Sequence, residues 1–174
     1  MSVFLQPIYT QTVGSGGAAS ITFNSIPQTF TDLFLKVSAR DTGAGTQSDF
    51  QLRFNGTGAG VTTYSDTVLY GSGSSAVSSR HSGTSVIYIS GVPGSSATAN
   101  TFGNAEVYIP NYTSSNYKQV VIDSLGENNA TTSYLFIDAG LWRDTSSISS
   151  ITVVAGVTAI AQYSTFSLYG ITKG

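Results

Sequence analysis

Residues 49–56 read Asp49-Phe-Gln-Leu-Arg-Phe-Asn-Gly56, and this stretch decides the fold class. Phe50, Leu52 and Phe54 occupy every second position, with polar or charged residues between them. Because successive side chains of an extended strand point to opposite faces, the three apolar side chains share one face. The Asn-Gly pair that follows is a strong signal for a tight turn. The stretch predicts a half-buried β-strand that ends in a hairpin or tight turn.

The same alternation recurs along the whole chain, whereas helical spacing does not persist for the length that a helix needs. The runs that show it are 20–24, 31–40, 49–54, 62–70, 84–90, 104–109, 117–124, 133–142, 148–154 and 165–171. About ten short strands separated by Gly, Ser, Asn and Pro clusters favour an all-β fold over a parallel α/β design. We therefore predict an antiparallel β-sandwich that is jelly-roll-like.

The length of 174 residues predicts one domain that spans residues 1–174. The chain has no Cys, so disulfides and thiolate metal sites are excluded. Pro7 cannot donate a hydrogen bond within a central strand. We therefore expect residues 1–15 to form an N-terminal arm or an edge strand.

Charge and hydropathy exclude two classes of partner. The net charge is -2 and charged residues are 9% of the chain, which gives no basic surface for a phosphate backbone. No run of 18 apolar residues occurs, and the first residues lack the features of a signal peptide. We predict no nucleic-acid partner, no membrane association and synthesis in the cytoplasm without export.

Candidate catalytic residues are few. His81 is the only His, and no G-x-S-x-G motif marks one Ser as a nucleophile, so an exposed loop position is the simplest interpretation of this residue. A carboxylate pair of the glycoside-hydrolase type needs two acids across a groove. The available acids are Glu106, Asp123, Glu127 and Asp138.

Metal binding has one weak candidate. Asp41 and Asp49 flank a Gly-rich loop, but the spacing of calcium-binding loops is absent. We predict no catalytic residue, no metal and no cofactor. The segments 71–79 and 91–100 consist mainly of Gly, Ser and Ala, and we predict that both are surface loops.

Low charge and many aromatic residues point to contacts with other chains. Soluble domains usually contain about 25% charged residues, far more than this chain. Part of the surface is therefore expected to be covered by neighbours. Several aromatic residues lie in or near predicted strands, and most are expected to pack within the domain: Tyr108, Tyr112, Tyr117, Tyr134, Trp142, Tyr163 and Tyr169.

Two stretches near the C-terminus carry a resemblance to a known group of proteins. They read Gly140-Leu-Trp-Arg-Asp-Thr-Ser-Ser-Ile-Ser-Ser-Ile-Thr-Val-Val154 and Tyr163-Ser-Thr-Phe-Ser-Leu-Tyr-Gly-Ile171. Their order resembles the closing strands of a β-sandwich domain in virion structural proteins of tailed bacteriophages, and residues 26–40 and 50–56 resemble its early strands. The turn at 160–163 departs from this pattern, since a Gly-rich turn is expected there.

The resemblance implies binding and not chemistry. It predicts a non-enzymatic virion protein, foremost a capsid decoration (cement) protein that binds the major capsid protein. The low charge and the many hydroxyl and aromatic side chains predict that the chain also binds itself, as a homotrimer. A tail-fibre or receptor-binding domain that recognises host-surface glycan is the alternative, and a cellular glycoside hydrolase is a third interpretation. Apolar residues of the N-terminal stretch are the predicted interface: Val3, Phe4, Leu5, Ile8 and Tyr9.

Overall fold

The computed structural model describes residues 3–129 and 133–173, and within them the chain forms twelve β-strands and no helix. In chain order these are β1 Val3–Thr12, β2 Ser20–Phe23, β3 Asp32–Ala39, β4 Gln47–Phe54, β5 Tyr64–Gly71, β6 Ala76–Thr84, β7 Ile87–Pro93, β8 Gly103–Ile109, β9 Lys118–Gly126, β10 Tyr134–Trp142, β11 Ile151–Val154 and β12 Thr165–Lys173. Each of the ten predicted runs corresponds to one strand. The all-β prediction is confirmed, and β1 and β6 raise the number of strands to twelve.

The strands form two antiparallel sheets of unequal size. The larger sheet has the order β1-β12-β3-β8-β9-β10-β5-β6, and the smaller sheet has the order β2-β11-β4-β7. Every pairing between neighbouring strands is antiparallel. The predicted antiparallel β-sandwich is therefore confirmed.

The core lies between the two sheets and follows the alternation in the sequence. Phe50, Leu52 and Phe54 of β4 are fully buried, as the opening stretch predicts. The rings of Phe50 and Phe166 lie 6.4 Å apart between the two layers. Removal of such apolar side chains from water is the main favourable term in folding.

The smaller sheet cannot cover the whole of the larger one. Its edge strand β7 approaches β9 closely, and a Cβ atom added at Gly126 would lie 2.2 Å from the carbonyl oxygen of Gly91. The side chain of Ile87 covers Gly140 of β10 in the same way. Beyond β7 the larger sheet continues through β5 and β6. We call the strands β9, β10, β5 and β6 the extension.

An aromatic cluster joins the extension to the smaller sheet. The ring of Trp142 lies 5.4 Å from that of Phe54 and 6.3 Å from that of Tyr64. The Tyr64 hydroxyl accepts a hydrogen bond of 2.9 Å from the Phe54 backbone N–H. Lys118 is buried beside Trp142, and its ammonium group donates to the carbonyl oxygens of Asn116, Asp144 and Ser146. These contacts fix the end of β10.

The two predicted loops are shorter than the sequence indicates. Residues 76–79 belong to β6, and residues 91–93 belong to β7. The rest of the second segment is held by the Arg40 guanidinium, which donates to the carbonyl oxygens of Ala97, Thr98 and Thr101. Both predictions were wrong in extent: at 76–79 small side chains do not distinguish an exposed edge strand from a loop, and at 91–93 Gly and Pro belong to a buried strand end.

Trp142→Ala should destabilise the domain by about 3 to 5 kcal/mol, because it removes a large aromatic side chain from a packed core. Only 1% of the Trp142 surface is exposed. Urea unfolding followed by circular dichroism measures the change. Tyr117→Ala is the control, since Tyr117 is exposed and its loss should cost less than about 1 kcal/mol. A similarly small effect for Trp142→Ala would contradict this view of the cluster.

Candidate functional site

The outer face of the extension carries exposed apolar side chains that alternate with the buried ones. On β10, Leu135 is 56% exposed and Ile137 is 48% exposed. In the strand register Leu135 lies opposite Leu125, and Ile137 lies opposite Leu69. We define the outer patch as the exposed residues Leu69, Val121, Leu125, Leu135 and Ile137. They lie on three neighbouring strands, and the exposed Asp123 lies among them, opposite Ile137.

The same face of the larger sheet is mixed away from the extension, where the partly buried aromatic residues Tyr169, Phe34 and Tyr108 lie side by side next to polar and charged residues. Lys36 of β3 lies opposite Glu106 of β8, and the two form an ion pair of 3.2 Å. Ser38 lies opposite Asn104 on the same face. Single exposed apolar residues are ordinary, but a contiguous apolar patch marks an interaction surface. The five exposed apolar side chains on three neighbouring strands therefore make the outer patch the leading candidate site.

Two charges of opposite sign lie on this face, Asp123 within the outer patch and Arg80 beside it. Asp123 of β9 lies opposite Ile137 on one side and opposite Glu106 on the other. Arg80 lies on β6, opposite Thr67 of β5. Within the described residues, the ion pairs are Lys36–Glu106 and His81–Asp66, so neither Asp123 nor Arg80 has an ionic partner there. Both charges are available to a binding partner.

The predicted N-terminal interface residues divide into two groups. The structure places them on β1, an outer edge of the larger sheet that pairs with β12. Phe4 and Leu5 are exposed, whereas Ile8 packs against the core. The Tyr9 ring stacks on Phe23 at 5.8 Å, and its hydroxyl donates to the Asn24 carbonyl oxygen. The side chain of Val3 lies outside the described residues.

The register of β1 shifts between Pro7 and Tyr9. Proline together with a bulge disfavours further strand pairing at an edge. Side chains of β1, and not its backbone, are therefore the groups that a partner can contact. Phe4 and Leu5 are the exposed apolar members of this edge.

A buried acidic cluster lies on the inner face of the extension. Asp66 of β5 and Asp138 of β10 are both almost fully buried. Nδ1 of His81 lies 2.6 Å from Oδ1 of Asp66. The Tyr88 ring of β7 packs edge-on against the imidazole. His81 thus lies on a strand, and the predicted loop position is wrong.

The cluster leaves two carboxylate oxygens without partners. Oδ2 of Asp66 and Oδ2 of Asp138 are buried and make no hydrogen bond among the described residues. Burial, followed by the nearby charges of Asp66 and Asp49, raises the pKa of Asp138 to about 7, and His81 opposes this shift. Burial dominates because it penalises the charged form of the carboxyl group. The cluster therefore contains a carboxyl group, that of Asp138, whose ionisation destabilises the fold.

The described geometry lacks the nucleophile of a catalytic triad. Among those residues, His81 makes its hydrogen bond with Asp66, and no serine hydroxyl bonds to the imidazole. Of the candidate acids of a glycoside hydrolase, the structure brings Glu106 and Asp123 together, opposite each other on the outer face, where Lys36 pairs with Glu106. Asp138 lies on the inner face, and the Glu127 carboxylate accepts a hydrogen bond from the Asn129 backbone N–H.

Asp41 has a structural role. Its Oδ1 accepts a hydrogen bond from the Gly43 N–H, and its Oδ2 accepts from the Ser48 hydroxyl. Asp49 is exposed on β4. No group of three or more His, Asp or Glu side chains in the described ranges is arranged to hold a metal ion. Nor does that part of the chain contain a helix long and apolar enough to cross a membrane.

Comparison with protein-family models, curated proteins and solved structures finds no match for this chain. The candidate site is therefore defined by its geometry alone. Sequence reasoning did not single out the outer patch or Asp66. A signal for Asp66 existed, since it shares the alternation phase of the buried residues Tyr64 and Val68.

Asp138→Asn should change how stability depends on pH. The unfolded carboxyl group has a pKa of 3.8, and the folded one has a pKa of about 7. The folded state therefore binds the proton more tightly than the unfolded state does. Protonated Asp138 contributes fully to stability below about pH 4, and this contribution is lost as the pH rises through 7. Asparagine cannot ionise and does not lose this contribution. The free energy of unfolding of the variant, relative to that of wild type, should therefore rise by up to about 4 kcal/mol from acidic to alkaline pH.

Urea unfolding of both proteins at about pH 4 and about pH 8 measures this difference. Gln119→Ala is the control, because Gln119 is exposed on the neighbouring strand and carries no ionisable group. Its difference from wild type should stay nearly constant with pH. Equal pH dependence of Asp138→Asn and wild type would contradict a strained carboxyl group at Asp138.

Proposed function

We propose that this chain is a non-enzymatic structural protein of a tailed-phage virion, a capsid decoration protein that binds the major capsid protein and associates with itself. The outer patch carries the proposal, because a group of exposed apolar side chains on neighbouring strands favours binding over chemistry. The low content of charged residues supports it as well. On this proposal the chain is made in the bacterial cytoplasm and resides in the virion.

We also interpret the central part of the domain as a jelly roll. The strands β1-β12-β3-β8 face β2-β11-β4-β7 as two layers of four. Along the chain these eight strands alternate between the layers, except that β4 and β7 are neighbours in one layer. Jelly rolls likewise contain eight strands in two sheets. The pairs β5–β6 and β9–β10 are then insertions that build the extension.

The proposed mechanism is stabilisation by selective binding. A protein that binds only the assembled shell lowers the free energy of that shell relative to separate capsid subunits. Stable protein interfaces bury about 1,200–2,000 Å² in total, so one small patch is insufficient for several partners. We assign capsid contact to the exposed side chains Phe4 and Leu5 at the β1 edge, and we assign the outer patch to self-association.

The tail-fibre alternative has one observation in its favour. Tyr70, Tyr134 and Phe136 form an aromatic cluster near the tip of the extension, with ring centroids 5.2 to 6.1 Å apart. Tyr70 and Tyr134 are partly exposed. Aromatic faces with hydroxyl groups suit sugar rings, because one part of the side chain is apolar and the other polar. This cluster is where a host glycan would bind under the alternative.

Purified chain added to phage particles that lack it should bind to the heads. Labelling with a gold-conjugated antibody and electron microscopy locates it. The double variant Phe4→Ser, Leu5→Ser should reduce head labelling by at least about tenfold at limiting concentration, since it removes two apolar contacts. Phe4 is 67% exposed, so the fold should not suffer.

Val157→Ser is the matched control, because Val157 is 66% exposed but lies in the loop after β11. It should label heads as wild type does. Label at the tail would support the receptor-binding alternative. Absence of label from the whole particle would overturn the virion proposal. Equal head labelling by the double variant and wild type would show that Phe4 and Leu5 of β1 do not contact the capsid.

A further inference from the structure

We infer that the edge strand β6 is a proton-controlled latch over the buried carboxyl groups of Asp66 and Asp138. The latch is closed while the acidic cluster holds its protons, and it opens when they are lost. Opening means that β6 separates from β5 while the rest of both sheets stays folded. The latch is a property of the fold and does not depend on the proposed function.

Strand β6 is held to the rest of the domain mainly by its backbone pairing with β5. It lies at the edge of the larger sheet, and its side chains from 76 to 83 are exposed. Local opening costs least where few apolar contacts are buried. Among the described residues, His81 ties β6 to the inner face, because its imidazole contacts the Asp66 carboxylate and the Tyr88 ring.

The register places His81 beside both carboxyl groups. His81 lies directly opposite Asp66 on β5. Asp138 lies opposite Val68 on β10 and is therefore the diagonal neighbour of Asp66 on the same face. Side chains in diagonal positions of an antiparallel pair are close enough to interact. The imidazole thus closes the solvent side of the cluster.

The charged groups that face Asp138 come from three other strands. They are Asp66 of β5, Asp49 of β4 and His81 of β6. The strand β7 adds the uncharged Tyr88 ring. With protons on His81 and Asp138, the imidazolium pairs with Asp66, and Asp138 is neutral. After loss of both protons, two buried carboxylates remain and the imidazole no longer offsets them.

The closed latch provides no donor for this extra negative charge. Oδ2 of Asp66 and Oδ2 of Asp138 are buried and make no hydrogen bond among the described residues. A buried carboxylate without donors is costly, which favours the protonated form. Departure of β6 removes the imidazole from Asp66 and admits water, which supplies donors to both groups.

The sign of the pH effect follows from this difference. Burial is the largest cause that raises the pKa of Asp138 to about 7 in the closed state. Water in the open state removes part of that cause, so the closed state binds the proton more tightly than the open state does. Opening is therefore favoured as the pH rises through about 7.

Alternate amides of β5 report separately on its two neighbours. The Ser72 N–H donates to the Ser75 carbonyl oxygen at the β5–β6 turn, and the Arg143 N–H donates to the Thr63 carbonyl oxygen beside β10. Bonded and non-bonded pairs alternate along an antiparallel ladder. The N–H groups that join β5 and β6, here called latch amides, are those of Asp66, Val68, Tyr70, Val77, Ser79 and His81. The β5 amides directed to β10, here called reference amides, are those of Thr67 and Leu69.

Amide hydrogen exchange followed by NMR at about pH 6 and about pH 8 tests the latch, with each rate divided by that of an unstructured amide. In wild type the latch amides should accelerate by about tenfold relative to the reference amides, because one proton with a pKa of about 7 is lost. Asp138→Asn should abolish this acceleration. Arg80→Gln is the matched control, since Arg80 adjoins His81 but lies opposite the exposed Thr67. It should behave as wild type does.

A reversible crosslink tests whether strand separation is the cause. Thr67 and Arg80 form a non-bonded pair of the ladder, a position where the Cα separation of about 4.5 Å suits a disulfide. The chain has no other Cys. The double variant Thr67→Cys, Arg80→Cys should lose the acceleration when oxidised and recover it when reduced.

Equal acceleration of latch and reference amides would overturn the inference, because the whole extension would then open. Absence of any pH effect on the latch amides would also overturn it, as would full acceleration in Asp138→Asn or in the oxidised disulfide variant. These measurements use the isolated chain and no phage particles. Their outcome therefore leaves the gold-labelling test of the virion proposal unaffected, and the reverse holds too.

Discussion

The constraint on which the structure depends is the unequal size of its two sheets. Four strands face eight, and a sheet needs cover on one face to bury its apolar side chains. The edge strand β7 extends this cover to β9 and β10 by close contact at Gly91 and Gly126. Further out, β6 is exposed on both faces along almost its whole length. The two faces of the extension consequently meet different environments.

This constraint explains the two unusual features of the extension together. On the inner face, Asp66 and Asp138 occupy positions near the limit of the cover, where burial is nearly complete but His81 of the outermost strand is still partly open to solvent. On the outer face nothing in the described chain covers Leu135 and Ile137. The first feature makes stability sensitive to pH, and the second provides a surface for association.

The sequence predicts the strands better than it predicts the surfaces. Alternation at 49–54 identifies β4 because only one phase is apolar. On β10, Phe136 and Trp142 lie in one phase and Leu135 and Ile137 in the other, so both faces are apolar. Period-two reasoning cannot tell which phase faces the core, because that depends on where the smaller sheet ends. β6 was missed for a similar reason, since an exposed edge strand needs no apolar phase.

Hydroxyl-radical footprinting of side chains reports most directly whether the outer patch is buried in the associated state. Samples of the chain are labelled at about 1 and about 100 μM, since self-association must grow with concentration, and analysed by mass spectrometry. Self-association through the outer patch predicts that Leu69, Leu135 and Ile137 become less reactive at the higher concentration, while Leu5 and Val157 do not change. Unchanged reactivity of Leu135 and Ile137, or protection confined to Leu5, would contradict it.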